Sequence, residues 1–420
     1  MSLPPQVTVL IVGAGPSGLA AAIYFKQHGI PMAIVDLANV NRNGARASIV
    51  HTRTLEVLET IGVAEDIIQA GTVTQGQVLH GDRQHLITVE LPLIKHMTKF
   101  AFSVLIPQEK VESVLMKKLN SLNEYVYTGK KAIAYREDGE STIVSFEDGT
   151  DVRAKYIIGA DGARSTIRHL AGIDFRDPFS GETYDEPPVL PALNFVLADT
   201  MLQLPLPKEV SMNTITAFFD PFFVLIPQTS VIKGDAIFTR IFLGFIDGKQ
   251  ELPRAPTLEY IQSELDRRNP YPEQRLIVKE VITGSRYRTR SALANTYYKK
   301  IGNSELLLVG DAAHVHTPLG GQGLNLGICD AVAAAEAIAE HYNGKDLPSG
   351  DRAAILARYG ETRREAGLTV ITATKRFNYM IYWNHGWRRY VRNFAISIMR
   401  NIPFIRKELA LEISGLIHRH

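Results

Sequence analysis

The sequence predicts an α/β protein: a Rossmann-like parallel sheet, interrupted by a mostly antiparallel β-sheet and followed by a helical C-terminal segment. Three observations predict it. Residues 7–12, VTVLIV, form a continuous apolar, β-branched run of the kind that fills a strand buried on both faces, and GAGPSG follows directly. The same order of strand, small-residue turn and helix recurs at KYIIGADGARSTIRHLAGI (155–173) and at ELLLVGD (305–311). Residues 174–284, between these two, change to prolines, aromatics and short alternating apolar runs, which read as antiparallel strands.

The first unit can be justified residue by residue. LAAAIYFKQHG reads as a helix closed by Gly29, and MAIVD as a second strand ending at Asp36. In this βαβ context Gly13 makes the tight turn, Gly15 lets backbone approach a pyrophosphate, and Gly18 lets the helix pack closely on the strand. The helix N-terminus presents free N–H groups and positive dipole potential to that anion. Asp36 stands where a carboxylate accepts both hydroxyls of an adenosine ribose. The motif alone leaves NAD(P) and FAD open.

Further on, Asp161-Gly162 occupies the second turn, and ELLLVGD places Asp311 at the C-terminal end of a buried strand. LNLGICDAVAAAEAIAEHY is an alanine-rich helix whose N-terminus points back at that strand end. Ligands of open α/β sheets bind outside the carboxyl ends of the strands, so Gly13, Asp161 and Asp311 are expected to line one crevice. The segments ALNFVLAD, ITAFFDPFFVLIP and AIFTRIFLGFI supply the inserted sheet. The expected division is 1–73, 101–175 and 285–365 for the nucleotide-binding domain, 74–100 and 176–284 for the β-sheet domain, and 366–420 for C-terminal helices. The basic end, WRRYVRNFAISIMRNIPFIRKELALEISGL, reads as helices that cover the core, with a seat on a membrane surface as the alternative.

Composition excludes several classes. Of 420 residues, 45% are hydrophobic and 21% charged, as in ordinary globular proteins. A formal charge of +2 carries no electrostatic footprint for nucleic acid. No run approaches 18 uninterrupted apolar residues, and the start lacks a signal-peptide pattern, so a cytoplasmic protein without a membrane partner is expected. The single cysteine, Cys329, permits neither an intrachain disulfide nor a thiolate cluster. His314 and His316 are expected to splay to opposite faces of an extended run, a poor joint metal site, so no metal is expected.

Taken together, GAGPSG with Asp36, ADGARSTIR, and GDAAHVHTPLGGQGLNLGICDA resemble the FAD-dependent aromatic-ring hydroxylases of the para-hydroxybenzoate hydroxylase type, single-component flavoprotein monooxygenases. ARASIVHTRTLEVLETIGV (45–63), IPQEKVESVL (106–115) and GSRYRTRSALANTYY (284–298) agree with it. The resemblance covers the nucleotide-binding parts well and the inserted sheet poorly. The family more often has glutamate where this chain has Asp36. A single dinucleotide fingerprint also fits, because in the family NAD(P)H binds transiently without a Rossmann domain of its own.

The resemblance implies a Rossmann-like FAD-binding domain in which Gly13, Gly15, Ser17 and Gly18 hold the FAD pyrophosphate and Asp36 the adenosine ribose. Arg46 and Gln108 would contact FAD, Asp161 would lie near the pyrophosphate, and Asp311 would bond the ribityl chain or pyrophosphate. Gly321 and Gly323 would let backbone approach the isoalloxazine, which Leu324 and Asn325 would meet, while Pro318 borders the oxygen pocket. Further implied are reduction of FAD by NAD(P)H, capture of O2 as a C4a-hydroperoxide and attack of its distal oxygen on a small aromatic substrate. The inserted sheet would form an apolar pocket from phenylalanines such as Phe222, with Asn194 and Arg240 as polar anchors; some of the phenylalanines simply fill the core. His51 and Tyr287 are the candidate general bases, with a satisfied core histidine as the other reading of His51. A monomer or homodimer is expected. An FAD-dependent epoxidase, reductase or oxidase acting on an apolar non-aromatic substrate is the alternative.

Overall fold

The run 6–12 becomes the central strand, Gln6–Val12, of a computed structural model that describes residues 2–37, 47–139, 141–186, 193–246, 251–271, 273–344 and 348–419. It pairs in parallel with Met32–Val35 on one side and Asp151–Gly159 on the other, and Asp151–Gly159 pairs in parallel with Ser304–Leu308. Val126–Tyr127 extends one edge and the antiparallel strand Tyr298–Ile301 the other. The register aligns Val35, Val12, Gly159 and Leu308 in one row. The turns that follow them therefore leave the sheet side by side at the same end.

Small residues decide how the helices sit on this sheet. Pro16–Gln27 packs against Gln322–Asn343, and a Cβ added to Gly327 would lie 2.6 Å from Ser17 Oγ and 3.0 Å from Gly310 Cα. Any side chain at Gly327 would push the second helix away from the strand ends it serves.

The second sheet runs in the order Val278–Arg288, Asn194–Gln203, Ala236–Phe245, Phe222–Lys233, Ile215–Phe219, Gly76–Gly81, Gln84–Glu90. Every pairing is antiparallel except Ile215–Phe219 with Gly76–Gly81. Period-2 alternation splits its residues between two cores. Val196, Ala198, Phe223, Leu225 and Ile241 pack with Ile261 and Leu265 of the helix Leu258–Arg268. Phe195, Leu197, Phe219 and Phe222 face the other way, toward Leu319, Ile381 and Ile396. Three helices end the chain, Ser349–Tyr382, Gly386–Met399 and Pro403–Ser414. Among the described residues no helix is long and apolar enough to cross a membrane.

Candidate active site

Three turns converge at the aligned strand ends. Gly13 has φ +112°, and a Cβ there would stand 2.2 Å from the Ala160 carbonyl oxygen, so both its backbone and its neighbour require glycine. A Cβ on Gly18 would meet Gly13 O at 1.9 Å. At Gly15, in contrast, it would meet nothing within 4 Å. The space beside Gly15 is thus open on the protein side, a cradle that fits a bound phosphate group. Asp36 is buried, and its Oδ2 accepts the Ala14 amide at 2.7 Å, which pins the carboxylate over the glycine turn. Ser17 lies where Gly310 and Gly327 approach each other. Asp311 is exposed in the turn Gly310–Ala312.

Asp161 is committed to local structure. Its carboxylate accepts from Ser165 Oγ and from the Ile167 amide at 3.1 Å, capping the helix Thr166–Leu170, while burial pushes its pKa up against the pull of these bonds. Arg168 is buried and donates to Ala312 O and Ala163 O, both at 2.9 Å. It ties the Asp161 turn to the Asp311 turn; only the ADGARSTIR motif hinted at it.

The second half of the site is the start of the helix Gln322–Asn343. Gly320 and Gly321 have φ +79° and +63°, and a Cβ on Gly321 would strike Ile49 Cγ2 at 2.3 Å. The Gly321 amide donates to Pro318 O at 3.1 Å, and the Gln322, Gly323 and Leu324 amides precede the first intrahelical acceptor. They offer donors and the positive end of a 22-residue helix to an acceptor in front of them. Gly323 would contact only His316 Nε2, at 3.7 Å, so the protein itself leaves room there. The Asn325 side chain is engaged by the protein itself. Its amide donates to Ile49 O and Gly321 O at 3.0 and 2.6 Å and accepts the His51 amide at 2.7 Å, so it holds the turn together from behind.

His51 is held at both ring nitrogens. It is fully buried, with Nε2 2.8 Å from Gly320 O and Nδ1 3.1 Å from Ser103 Oγ. A carbonyl only accepts, so the proton sits on Nε2 and Ser103 donates to Nδ1. Burial lowers its pKa to about 4, opposed by the bond to Gly320, and His316 is lowered to about 4 by burial and the adjacent His314. Both folded values lie below the unfolded value of about 6.5. The unfolded chain therefore binds protons that the folded chain refuses, and the stability present above pH about 6.5 is lost as pH falls toward about 4. Thermal melts across that window are expected to show the decline, and His51→Gln, which keeps a donor to Gly320, is expected to flatten part of it. An unchanged pH slope in that variant would count against the assignment.

The histidine pair is corrected as well. His314 and His316 stack with ring centroids 6.3 Å apart, on one side of their strand, because residues two apart share a face. Their commitments, not their directions, oppose metal ligation. His314 Nε2 bonds Asp330 Oδ2 at 2.7 Å, and His316 Nδ1 donates to Thr317 O at 2.8 Å. Asp330 is fully buried and also receives Arg363 Nε at 2.7 Å. Burial alone would raise its pKa, but Arg363 and His314 outweigh it and hold the carboxyl low. Among the described residues no group of three or more His, Cys, Asp or Glu is arranged to hold a metal ion.

On the substrate side the geometry redistributes the expected residues. Phe222 is 1% exposed and packs against Phe195, Phe219 and Phe377, so it fills the core. Arg240 is buried and binds Asp199 through two bonds, 2.6 and 2.8 Å, and Ser48 Oγ and Ala47 O at 2.6 and 3.0 Å. It clamps the segment at 47–48 to the sheet, an architectural task that replaces substrate anchoring. Asn194 shares its face with Val196 and Ala198, on the side of the helix Leu258–Arg268 and away from Leu319. Gln108 is half-buried; its backbone amide donates to Ala47 O at 3.0 Å and its side chain to Glu112 at 2.8 Å. Arg46 lies outside the described residues.

Tyr287 pairs with Phe195 and packs in the cluster that contains Leu319, next to half-buried Pro318. Burial raises its pKa, and the charges of Asp311 and Tyr184 add to the rise, so its hydroxyl stays protonated at neutral pH and suits a donor better than a base. The residues the sheet does bring to the turn are Ile215 and Ile226, which join Ile49 and Leu105, with Val224 and Phe242 packed beside them. Their alternation with Phe223 and Leu225 was the available signal. A cavity of about 570 Å³ opens beside Thr72, the pairing partner of Leu105, and is lined by Gly71, Asn213, Thr214, Thr229 and Ser230 among others.

The family described as FAD binding domain matches residues 6–374. The chain is 26% identical over 369 residues to a rifampicin monooxygenase from Streptomyces venezuelae, covering 87% of this chain and 70% of that protein. It is 27% identical over 351 residues to pentachlorophenol 4-monooxygenase from Sphingobium chlorophenolicum, covering 82% and 60%. Among solved structures, p-nitrophenol 4-monooxygenase from Pseudomonas putida superposes with a TM-score of 0.77 at 21% identity, covering 98% of this chain and 99% of the other.

Proposed function

Because the chain belongs to the FAD-binding-domain family of aromatic-compound flavoprotein monooxygenases, we propose that it consumes NAD(P)H and O2 to place one oxygen atom on a small phenolic or other electron-rich aromatic ring. The observation that carries this reading is the alignment of three strand-end turns with an open glycine cradle and a second, free helix N-terminus at Gly321. One such site suits a pyrophosphate; two facing the same crevice suit a flavin dinucleotide.

In this reading Gly13, Gly15, Ser17 and Gly18 receive the pyrophosphate, Asp36 the ribose, and Asp311, Gln108 and Arg46 the remaining polar groups of FAD. Asp161 acts through its helix cap. Bound FAD supplies the redox and oxygen-activating chemistry. The protein's part is placement. The Gln322, Gly323 and Leu324 amides stabilise negative charge in front of the helix, and Gly323 keeps that surface free of side chains. Pro318, Ile226, Val224 and Phe242 exclude water from the reacting ring.

Tyr287 donates a hydrogen bond to the substrate oxygen. Tyr287→Phe is expected to keep its flavin and lose about 10- to 100-fold in kcat/KM, the worth of one bond to a developing anion. The overall reading is tested by NAD(P)H oxidation with a panel of small phenols under ¹⁸O2. Substrate-stimulated oxidation with label in the product supports it. A purified protein that takes up no FAD, or a flavoprotein whose products carry oxygen only from water, would exclude it.

A further inference from the structure

The C-terminal helices satisfy the core with one face and leave the other face apolar. In Gly386–Met399 the inner residues are firmly held. Arg392 donates to Asp220 Oδ2 at 2.5 Å and lies 4.6 Å over the Phe219 ring, Asn393 donates to Asp82 at 2.8 Å, and Ile396 joins the cluster of Phe195 and Phe222. This is the covering role that the sequence predicts. The outer face is different. Trp387, Val391, Phe394 and Ile398 recur at i, i+4, i+7 and i+11 and are 67, 46, 69 and 46% exposed. Tyr379 and Trp383 continue the surface on one side and Phe404, 70% exposed, on the other.

Ten of the 22 exposed large hydrophobics among the described residues fall within 379–404, so this is a patch and not the scatter any surface shows. Folding does not account for it, because the inner face already anchors the helix. Its charge is one-sided. Between Glu365 and Glu408 stand eight Lys or Arg and no Asp or Glu; Lys375, Arg389, Arg392 and Arg406 pair with Asp177, Asp82, Asp220 and Glu90 of other elements, and Arg376, Arg388, Arg400 and Lys407 are the surplus. Arg388 is exposed next to Trp387, and Arg376 is exposed one turn before Tyr379, whereas Arg400 donates to His85 O at 3.0 Å. A second copy docked on this face by a twofold axis would set cation against cation. Anionic headgroups match it instead, and Trp and Tyr beside Arg are the side chains that settle at a membrane–water interface.

We propose that this face seats the protein on an anionic lipid surface, with Trp387, Phe394 and Phe404 at headgroup depth and Arg376 and Arg388 among the phosphates. The attachment is peripheral. It takes up the alternative that the sequence offers for the basic C-terminal segment, and it stands independently of the reaction proposed above.

The test is flotation of the full-length flavin-loaded protein with vesicles of phosphatidylcholine alone or with about 30 mol% phosphatidylserine. Trp383 and Trp387 are the only two tryptophans, so their emission reports on this face alone. Flotation with the anionic vesicles, a blue-shifted emission and weakening by salt are expected. The triple variant Trp387→Ser, Phe394→Ser, Phe404→Ser is expected to bind at least about tenfold more weakly, and Arg376→Glu with Arg388→Glu to lose the preference for phosphatidylserine. Unchanged flavin content and circular dichroism in both variants separate lost binding from lost folding. A wild type that stays at the bottom of the gradient, or a triple variant that floats equally well, would overturn the proposal. So would light scattering that shows a dimer abolished by the triple variant without any flotation, which assigns the face to a second copy.

Discussion

Gly15→Val is expected to give a folded protein that no longer retains FAD. Gly15 has φ −72° and ψ −177°, extended backbone that valine adopts without strain, and an added Cβ meets no protein atom within 4 Å. The substitution costs the fold no more than about 1 kcal/mol, through a poorer helix N-cap. Its main effect falls on whatever occupies the open space. Loss of backbone approach to the pyrophosphate is expected to weaken FAD by about 100-fold or more, roughly 2.7 kcal/mol. Gly18→Val is the contrasting control: its Cβ would lie 1.9 Å from Gly13 O, so it is expected to damage folding first. The measurements are the flavin-to-protein absorbance ratio and the melting of the apo proteins. Wild-type flavin content in Gly15→Val would sink the cradle assignment.

Asp330→Ala is expected to have the largest effect on stability. Asp330 is fully buried between His314 and Arg363, at 2.7 Å from each, and truncation strands a guanidinium that is itself 6% exposed. Removing one partner of such a group typically costs about 3–5 kcal/mol, because the remaining charge stays buried without compensation. A fall in melting temperature of about 3–6 °C follows for a chain of this size. Asp330→Asn, which keeps an acceptor, is expected to fall between. The pH sign is fixed by the direction of the shift. A carboxyl held below its unfolded value of about 3.9 stabilises the fold above that pH, and the contribution is lost as pH falls through the folded value. Equal melting of Asp330→Ala and wild type at neutral pH would show that the network is not stabilising. Because the same cluster supports the turn that carries Asp311, flavin retention should fall with stability.

Elements governed by neighbouring residues were readable in the chain. The apolar run before GAGPSG, the glycine spacing, the recurrence of strand, turn and helix, and the alternation of the inserted sheet all depend on contacts within a few positions. The crevice outside the strand ends then follows from topology, and the register of Val12, Gly159 and Leu308 delivers it. Polar side chains were harder, because their partners are remote in sequence. Arg240 is neutralised by Asp199, 41 residues away, and His51 by Gly320, 269 residues away. No local pattern distinguishes a guanidinium aimed at a substrate from one aimed at a carboxylate across two strands.

The C-terminal helices show the same division. Their amphipathic spacing is written in the order WRRYVRNFAISIM, since a 3.6-residue period needs only neighbours. Which stripe is covered was decided in three dimensions, where Asp82, Asp220 and Phe219 take Arg392 and Asn393 inward and leave Trp387 and Phe394 outward. By itself the sequence determined a dinucleotide crevice and an inserted sheet, through backbone conformation and periodicity. The tertiary structure alone decided which polar groups are spent on the fold and which surfaces remain for ligands, because buried charge must find a partner wherever the chain brings one.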